Sequence, residues 1–286
     1  MTQIPEKEII IIKASGEKEP FSESKLRRSL ERVRVAPSTI DDIVVQIKSE
    51  LKDGTKTSDI YRRAFSLLRQ YQSHTAARYG LKAAIMKLGP SGHPFEKFVG
   101  KLLKSQGFSI EVSKIVPGFC VTHEIDVVGK KDNRCVMVEC KFHNEHGIKS
   151  DVKIALYIQA RFEDLQKQWQ SHPASAQKFD EAWLVTNTKL TSEAIRYAEC
   201  VGMKTLGWNY PPKNGLENLI ERAKLYPLTS LATLNVTQKR ALLDSGLVLC
   251  REILDNVNVL RAIKIAEEKI DKIINEINKL LENYGN

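Results

Sequence analysis

Asp126 stands in the apolar run Glu124-Ile125-Asp126-Val127-Val128, and Glu139 and Lys141 close the run Cys135-Val136-Met137-Val138-Glu139-Cys140-Lys141-Phe142. A carboxylate on a buried apolar strand is costly unless it is paired or binds metal. Residues two apart on a strand share a face, so Glu139 and Lys141 project together, beside Asp126 if the two runs pair. Two carboxylates within reach make an oxygen-rich site for Mg2+ (or Mn2+). A metal held there polarises a phosphodiester and acidifies a bound water. A neighbouring lysine orients that water or neutralises charge on the phosphate. The plainer alternative is an ordinary cross-strand ion pair on an edge strand. His123, His143 and His146 flank these residues without ligand spacing and read as loop histidines, while Glu124 shares a face with Asp126 and is an alternate ligand.

The elements that must position these groups form an α/β segment over 93–212. A helix over 94–105 ends at Gly107, and strands follow over 109–115, 123–130 and 135–142. A long amphipathic helix over 151–170 leads to a strand over 181–186, a helix over 191–201 and a strand over 204–207. Helix first with a late strand–helix–strand crossover gives a mixed sheet.

A smaller segment precedes it over 8–89, and Gly89-Pro90-Ser91-Gly92 is the breaker between them. It opens with the apolar strand 9–13, a turn at Ser15-Gly16 and an extended piece to Phe21. Helices are expected over 22–34, 37–51, 57–72 and 74–88, with Ser22 and Thr57 as N-terminal signals. The remainder, 216–286, is helical. Its end, 257–284, carries an apolar stripe (Leu260, Ile263, Ile270, Ile273, Ile277, Leu280) that suits a coiled coil, a dimer contact or a helix packed along the body. A faint helix-hairpin-helix pattern lies at Leu228–Leu231 and Lys239–Leu247, where a plain helical cap is the simpler reading.

Composition narrows the setting. The net charge of +9 attracts polyanions, nucleic acid among them, without choosing one. No apolar window is long enough for a transmembrane helix, so no membrane partner is expected. The start, Met1 to Lys7, lacks the build of a secretory signal. The 5 cysteines form no CxxC pair or framework, which points to reduced thiols and a cytoplasmic setting. No GxxxxGK[ST] phosphate loop is present; Gly54-Thr55-Lys56-Thr57 lacks the first glycine.

The middle segment resembles the PD-(D/E)xK nuclease superfamily: Asp126, then thirteen positions later Glu139-Cys140-Lys141, with Ile125 where a proline is usual. Gly92-His93-Pro94-Phe95-Glu96-Lys97-Phe98-Val99 and Leu102 to Phe108 look like the first helix of Mrr-type restriction endonucleases and archaeal junction resolvases. Trp183 to Thr188, then 194–202, looks like the Mrr-type strand and helix after the catalytic hairpin. The resemblance implies catalytic roles for Asp126, Glu139, Lys141 and Glu96, with Asp126, Glu139 and Glu96 around the metal. Gln159 falls where some relatives carry an auxiliary residue, although a plain surface glutamine is the simpler reading.

The first segment looks like an ATP-cone, the small regulatory domain of many ribonucleotide reductases and of their repressor. The match is Ile12 to Gly16, Glu19-Pro20-Phe21-Ser22, Lys25-Leu26, Lys56 to Tyr61 and Ala76 to Tyr79, with Ala14 in place of a second basic residue. It implies sensing of ATP or dATP through Lys13, Glu19, Ser22, Lys25, Thr57 and Tyr61. Lys13 and Lys25 can neutralise phosphates, Glu19 can accept from a base or ribose, and the start of the Thr57 helix offers free N–H groups. Together these features lead to the expectation of a nucleotide-regulated, Mg-dependent DNA endonuclease, with a homodimer suited to cutting both strands. Alternatives are a non-catalytic nucleotide-sensing DNA-binding regulator and a junction resolvase.

Overall fold

The computed structural model describes residues 8–282 except Arg34, Gln72, His146 and Ser175, and the backbone alone of Ser73 and His74. The expectations for the first seven residues and for His146 therefore fall outside the described residues. The chain packs into two compact units. One gathers residues up to Leu81 with 230–233 and the chain from Asp271; the other holds 82–229 and 234–270.

In the first unit, β1 (Ile10–Ile12) lies at the centre of a three-stranded sheet between β2 (Lys18–Pro20) and β3 (Thr55–Lys56). β2 runs antiparallel to β1 and β3 parallel to it. Helices α1 (Glu23–Glu31), α2 (Pro37–Glu50), α3 (Thr57–Tyr71) and α4 (Ser73–Tyr79) complete the cone-like body. Ser22 caps α1, its Oγ accepting from the Lys25 amide at 3.3 Å. Leu26 and Leu30 of α1, Ile43 and Ile47 of α2, and Ala64 and Leu67 of α3 fill one core with Ile11. Each buried leucine or isoleucine among them is worth about 1.5–3 kcal/mol.

The single helix expected over 74–88 is instead α4 and α5 (Leu81–Met86), parted at Gly80. The Phe65 ring lies so close to Gly80 that a Cβ would sit 2.8 Å from it. That approach needs glycine, and glycine is where a helix breaks at least cost.

The second unit is built on a five-stranded mixed sheet. Helix α6 (His93–Ser105) enters first, then β4 (Ser109–Pro117), β5 (Thr122–Lys131) and β6 (Arg134–Lys141) as an antiparallel meander. The short β7 (Lys149–Ser150) precedes α7 (Val152–Ser171). Then come β8 (Glu181–Thr186), β9 (Lys189–Leu190), α8 (Ser192–Cys200) and β10 (Lys204–Leu206). The order is β10-β8-β6-β5-β4, with β8 parallel to β6 and β10 parallel to β8. The two parallel steps use α7 and α8 as crossovers, as a parallel step requires. The mixed α/β expectation therefore holds, and β7 with β9 adds a two-stranded parallel ribbon.

Ala155, Ile158, Phe162 and Leu165 recur at helical spacing on α7 and pack with Ile125, Val128, Met137 and Leu184 of the sheet. α6 comes close to the sheet at Gly100, where a Cβ would meet Ile110 and Val112 at 3.2 and 3.3 Å.

The helices α9 (Leu216–Ala223), α10 (Val236–Asp244), α11 (Cys250–Asp255) and α12 (Asn258–Ala262) follow, and α13 (Glu267–Leu281) ends the described chain. The apolar stripe is not one helix: Lys264 at φ 59 separates α12 from α13. Leu260, Ile270, Ile273, Ile277 and Leu280 are buried within the chain, which matches a packed helix. Glu276 anchors the α13 end of the first unit, its carboxylate accepting from the Ala232 and Thr233 amides at 2.6 and 3.0 Å. The leucines of the faint hairpin pattern, Leu228, Leu231, Leu242 and Leu243, are core residues. No described helix is long and apolar enough to cross a membrane.

Candidate active site

The β5–β6 ladder stops at the pair Val127↔Val138. Beyond it the strands part, and β6 continues pairing only with β8, through Glu139↔Leu184 to Lys141↔Thr186. Asp126 and Glu139 are the first residues past the last rung. The Asp126 carboxylate spans the gap, its Oδ2 accepting from the Cys140 amide at 2.7 Å. Next to Asp126 along β4, Ser113 takes a left-handed φ of 53. Thus the sheet opens where the two carboxylates stand.

Glu139 is met from α7. Arg161 donates from Nη1 to Glu139 Oε2 and from Nη2 to the Glu124 carbonyl, fixing both strands to the helix. Glu96, on the first turn of α6, accepts at 3.2 Å from or shares a proton with His93 Nδ1. Its charge still reaches the other two carboxylates. Lys141 lies at the exposed end of β6.

The electrostatics are those of acids short of positive charge. Burial first, then the Glu139 charge, drives Asp126 up to about 7, against the pull of the Cys140 amide. Burial raises Glu139 as well, while Arg161 pulls it back. Cys140 is held well above the usual thiol range by burial and then by Asp126, so it is no nucleophile. The two carboxylates fit a hard divalent cation, since an added positive charge would relieve the same strain that raises them. Among the described residues, however, no three His, Cys, Asp or Glu side chains gather closely enough to cage a metal by themselves. Asp126 and Glu139 are the carboxylates at the gap, while Glu96 is turned to His93.

The flanking residues are structural supports. His123 Nε2 lies 2.8 Å from Asp164 Oδ2. Asp164 also accepts from the Cys120 amide at 2.9 Å, which ties the β4–β5 turn to α7. Although burial works the other way, these bonds hold Asp164 at about 2. The Ser150 hydroxyl donates to Thr186 at 3.1 Å, so it accepts from His143 Nε2 at 3.0 Å. Burial, then Lys141, lowers His143 below the usual imidazole range. Asn187 locks the backbone just after Lys141, accepting from the His143 amide and donating to its carbonyl, both at 2.8 Å. Glu124 is exposed and offers only its carbonyl to Arg161. Gln159 donates to Glu163 at 3.0 Å, and its own Oε1 is buried without a partner.

Arg161, Asp164 and Asn187 were not singled out in the sequence. Arg161 alone left a signal, a cation on the otherwise apolar stripe of α7.

In the first unit, Lys13 and Lys25 meet at Glu19, at 2.9 and 3.0 Å. Hydrogen bonds donated by Lys13 to Glu19 and then Glu17 raise Lys13, and those donated by Lys13 and then Lys25 lower Glu19. Ser22 lies beside them as the α1 cap. Thr57 starts α3 directly after β3. Tyr61 is elsewhere: its ring stacks on Tyr79 at 5.0 Å, and its hydroxyl donates to the Tyr79 carbonyl at 3.1 Å.

Comparison with known families matches three successive segments of the chain. Residues 9–81 match the ATP cone domain, residues 89–206 the restriction endonuclease domain of the Mrr catalytic type, and residues 226–281 the AF1548-like C-terminal domain. The protein is thus an ATP cone followed by a restriction-endonuclease-like domain. A protein of Archaeoglobus fulgidus, described as uncharacterized, is 39% identical over 184 residues, covering 64% of this chain and 99% of the relative. The solved structure titled "Crystal Structure of Protein of Unknown Function AF1548" aligns at a TM-score of 0.56 and 38% identity, over 67% of this chain and 98% of that one. The chain belongs to this AF1548-like family.

Proposed function

We propose that the protein is a Mg2+-dependent DNA endonuclease whose activity responds to an adenine nucleotide bound by the cone. The observation that carries this reading is the pair of buried carboxylates, Asp126 and Glu139, in the gap between β5 and β6, beside the exposed Lys141. Asp126 and Glu139 would hold the metal, Mg2+ or Mn2+. Bound there, the metal supplies Lewis acidity toward the scissile phosphate and a water of lowered pKa. Lys141 neutralises the phosphate or orients the attacking water. Cys140 aims its amide at Asp126 and keeps that carboxylate at the mouth of the gap. Glu96 adds negative potential from α6, which would favour a cation there. DNA is the partner suggested by the restriction endonuclease class and the net charge of +9.

In the cone, Lys13, Lys25 and Ser22 would meet the phosphates of ATP or dATP, Glu19 the base or ribose, and the α3 start at Thr57 a phosphate. Tyr61 would act through the Tyr79 stack rather than through its bonded hydroxyl. The described cysteines are free thiols, which fits a cytoplasmic location. A homodimer would place two centres on opposite strands.

Cleavage of supercoiled plasmid with Mg2+ or Mn2+, with and without ATP and dATP, tests the reading. Wild type should cut, Asp126→Ala should not, and a nucleotide should change the rate. Cutting that survives Asp126→Ala sinks it. Four-way junctions beside linear duplex would separate a resolvase from a general endonuclease.

A second reading, a DNA-binding regulator without catalysis, draws on one observation: Arg161 already neutralises Glu139 within the protein. Gel-shift binding without cleavage under any divalent metal would favour it.

A further inference from the structure

Arg161 is an odd tenant of its place on α7. The stripe it shares holds Ala155, Ile158, Phe162 and Leu165, all buried and apolar. The Arg161 side chain is itself only 9% exposed. A guanidinium is expensive to bury, and a purely structural one repays the cost by using its donors fully. Here Nη1 serves Glu139 and Nη2 serves the Glu124 carbonyl, while Nε is buried with no hydrogen-bond partner. The socket is therefore incomplete as a permanent home. The guanidinium carbon also lies 5.3 Å from the ring of Tyr157, which is 59% exposed. A cation can rest on such a ring after it leaves a carboxylate.

The oxygen that Arg161 holds belongs to one of the two carboxylates with the chemistry for a divalent cation. A divalent ion and a guanidinium side by side in a part-buried site repel each other strongly. Either the metal affinity is low or the arginine gives way.

We propose that Arg161 is a resident counter-ion of the carboxylate site: it holds Glu139 in the metal-free protein and is exchanged for a divalent cation when the site loads. This rests on the metal-centre reading above and deepens it. In the metal-free state the arginine keeps Glu139 from standing as an unpaired buried charge and keeps its carboxylate in place. On loading, Glu139 Oε2 passes to the metal and the guanidinium moves toward Tyr157. Arg161 thereby sets the cation concentration at which the site fills, and acts as a positioning residue.

Mn2+ binding to the full chain, measured by calorimetry, tests the exchange. Arg161→Gln removes the charge and should bind Mn2+ about tenfold or more tightly than wild type. Arg161→Lys keeps the charge and should stay within about threefold of wild type. The metal-free melting temperature of Arg161→Gln should fall, and saturating Mn2+ should recover most of the loss. Affinity in Arg161→Gln equal to or weaker than wild type would overturn the role of Arg161 alone. If that variant does not fold, wild type with 15N-labelled arginine decides. The hydrogen-bonded Nη signals of Arg161 should be lost as Mg2+ saturates the site, and their persistence would overturn the exchange. Absence of Mn2+ binding to wild type, or binding unaffected by Asp126→Asn, would overturn the metal centre and the exchange with it.

Discussion

In the first unit Lys13, Lys25 and Glu19 neutralise one another at the surface, and Arg63 pairs with Glu50 in the same way. In the second unit Asp126 and Glu139 stand part-buried in a break in the sheet, with Arg161 bonded to Glu139 and the Cys140 amide to Asp126. The first arrangement is cheap to make and cheap to rearrange, since exposed pairs contribute at most about 1 kcal/mol. A polyphosphate can enter such a cluster at little cost. The second is expensive to keep, because charges are desolvated without full compensation. An expense of that kind marks a place where an incoming cation improves matters. Charge alone therefore does not distinguish a binding surface from a reaction centre; the solvent around it does.

The largest effect expected from breaking this contrast is on catalysis. Glu139→Ala should lower plasmid cleavage by roughly a thousandfold or more, because the proposed metal centre would lose one of its two carboxylates. Residual cutting near the wild-type rate would refute its place in the centre. Next is the stability of the metal-free protein. Arg161→Ala leaves Glu139 unpaired and should cost about 3–5 kcal/mol in denaturant unfolding. Lys25→Ala in the exposed cluster should cost less than about 1 kcal/mol. Equal losses would erase the contrast between the two units. Lys25→Ala should nonetheless weaken ATP binding, measured by calorimetry, if the cone uses that cluster.

A smaller effect concerns pH. Asp126 sits at about 7 in the folded protein against 3.8 when unperturbed, so the folded state binds its proton more tightly. Its contribution to metal-free stability is then greatest below about pH 4 and is lost as pH rises toward 7. Asp126→Asn should flatten that part of the profile by about 1–3 kcal/mol. An unchanged profile would place the titration on another group. Asn187→Ala, which frees the backbone after Lys141, should cost about 1–2 kcal/mol in denaturant unfolding.

Much of this was legible in the sequence for a physical reason. Acids in apolar strands, as at Asp126 and Glu139, are rare and stand out from their neighbours. The α7 stripe and the late crossover follow from apolar periodicity, which the packing respects. What stayed hidden depends on contacts distant in the chain. Arg161 reaches Glu139 across 22 positions, and Asn187 reaches His143 across 44. The division of 74–88 at Gly80 depends on where the Phe65 ring lies, and the short strands β7 and β9 carry too few residues for a period. The final stripe had the apolar spacing of one long helix, but spacing does not reveal that Lys264 turns the chain.

The central claim is that the gap between β5 and β6 is a metal centre. Anomalous diffraction from crystals soaked in saturating Mn2+ tests it most directly. The expected result is a Mn2+ peak at Asp126 and Glu139, with the Arg161 guanidinium withdrawn from Glu139 Oε2. A gap without Mn2+, with Arg161 still on Glu139 while the ion binds elsewhere, would contradict it.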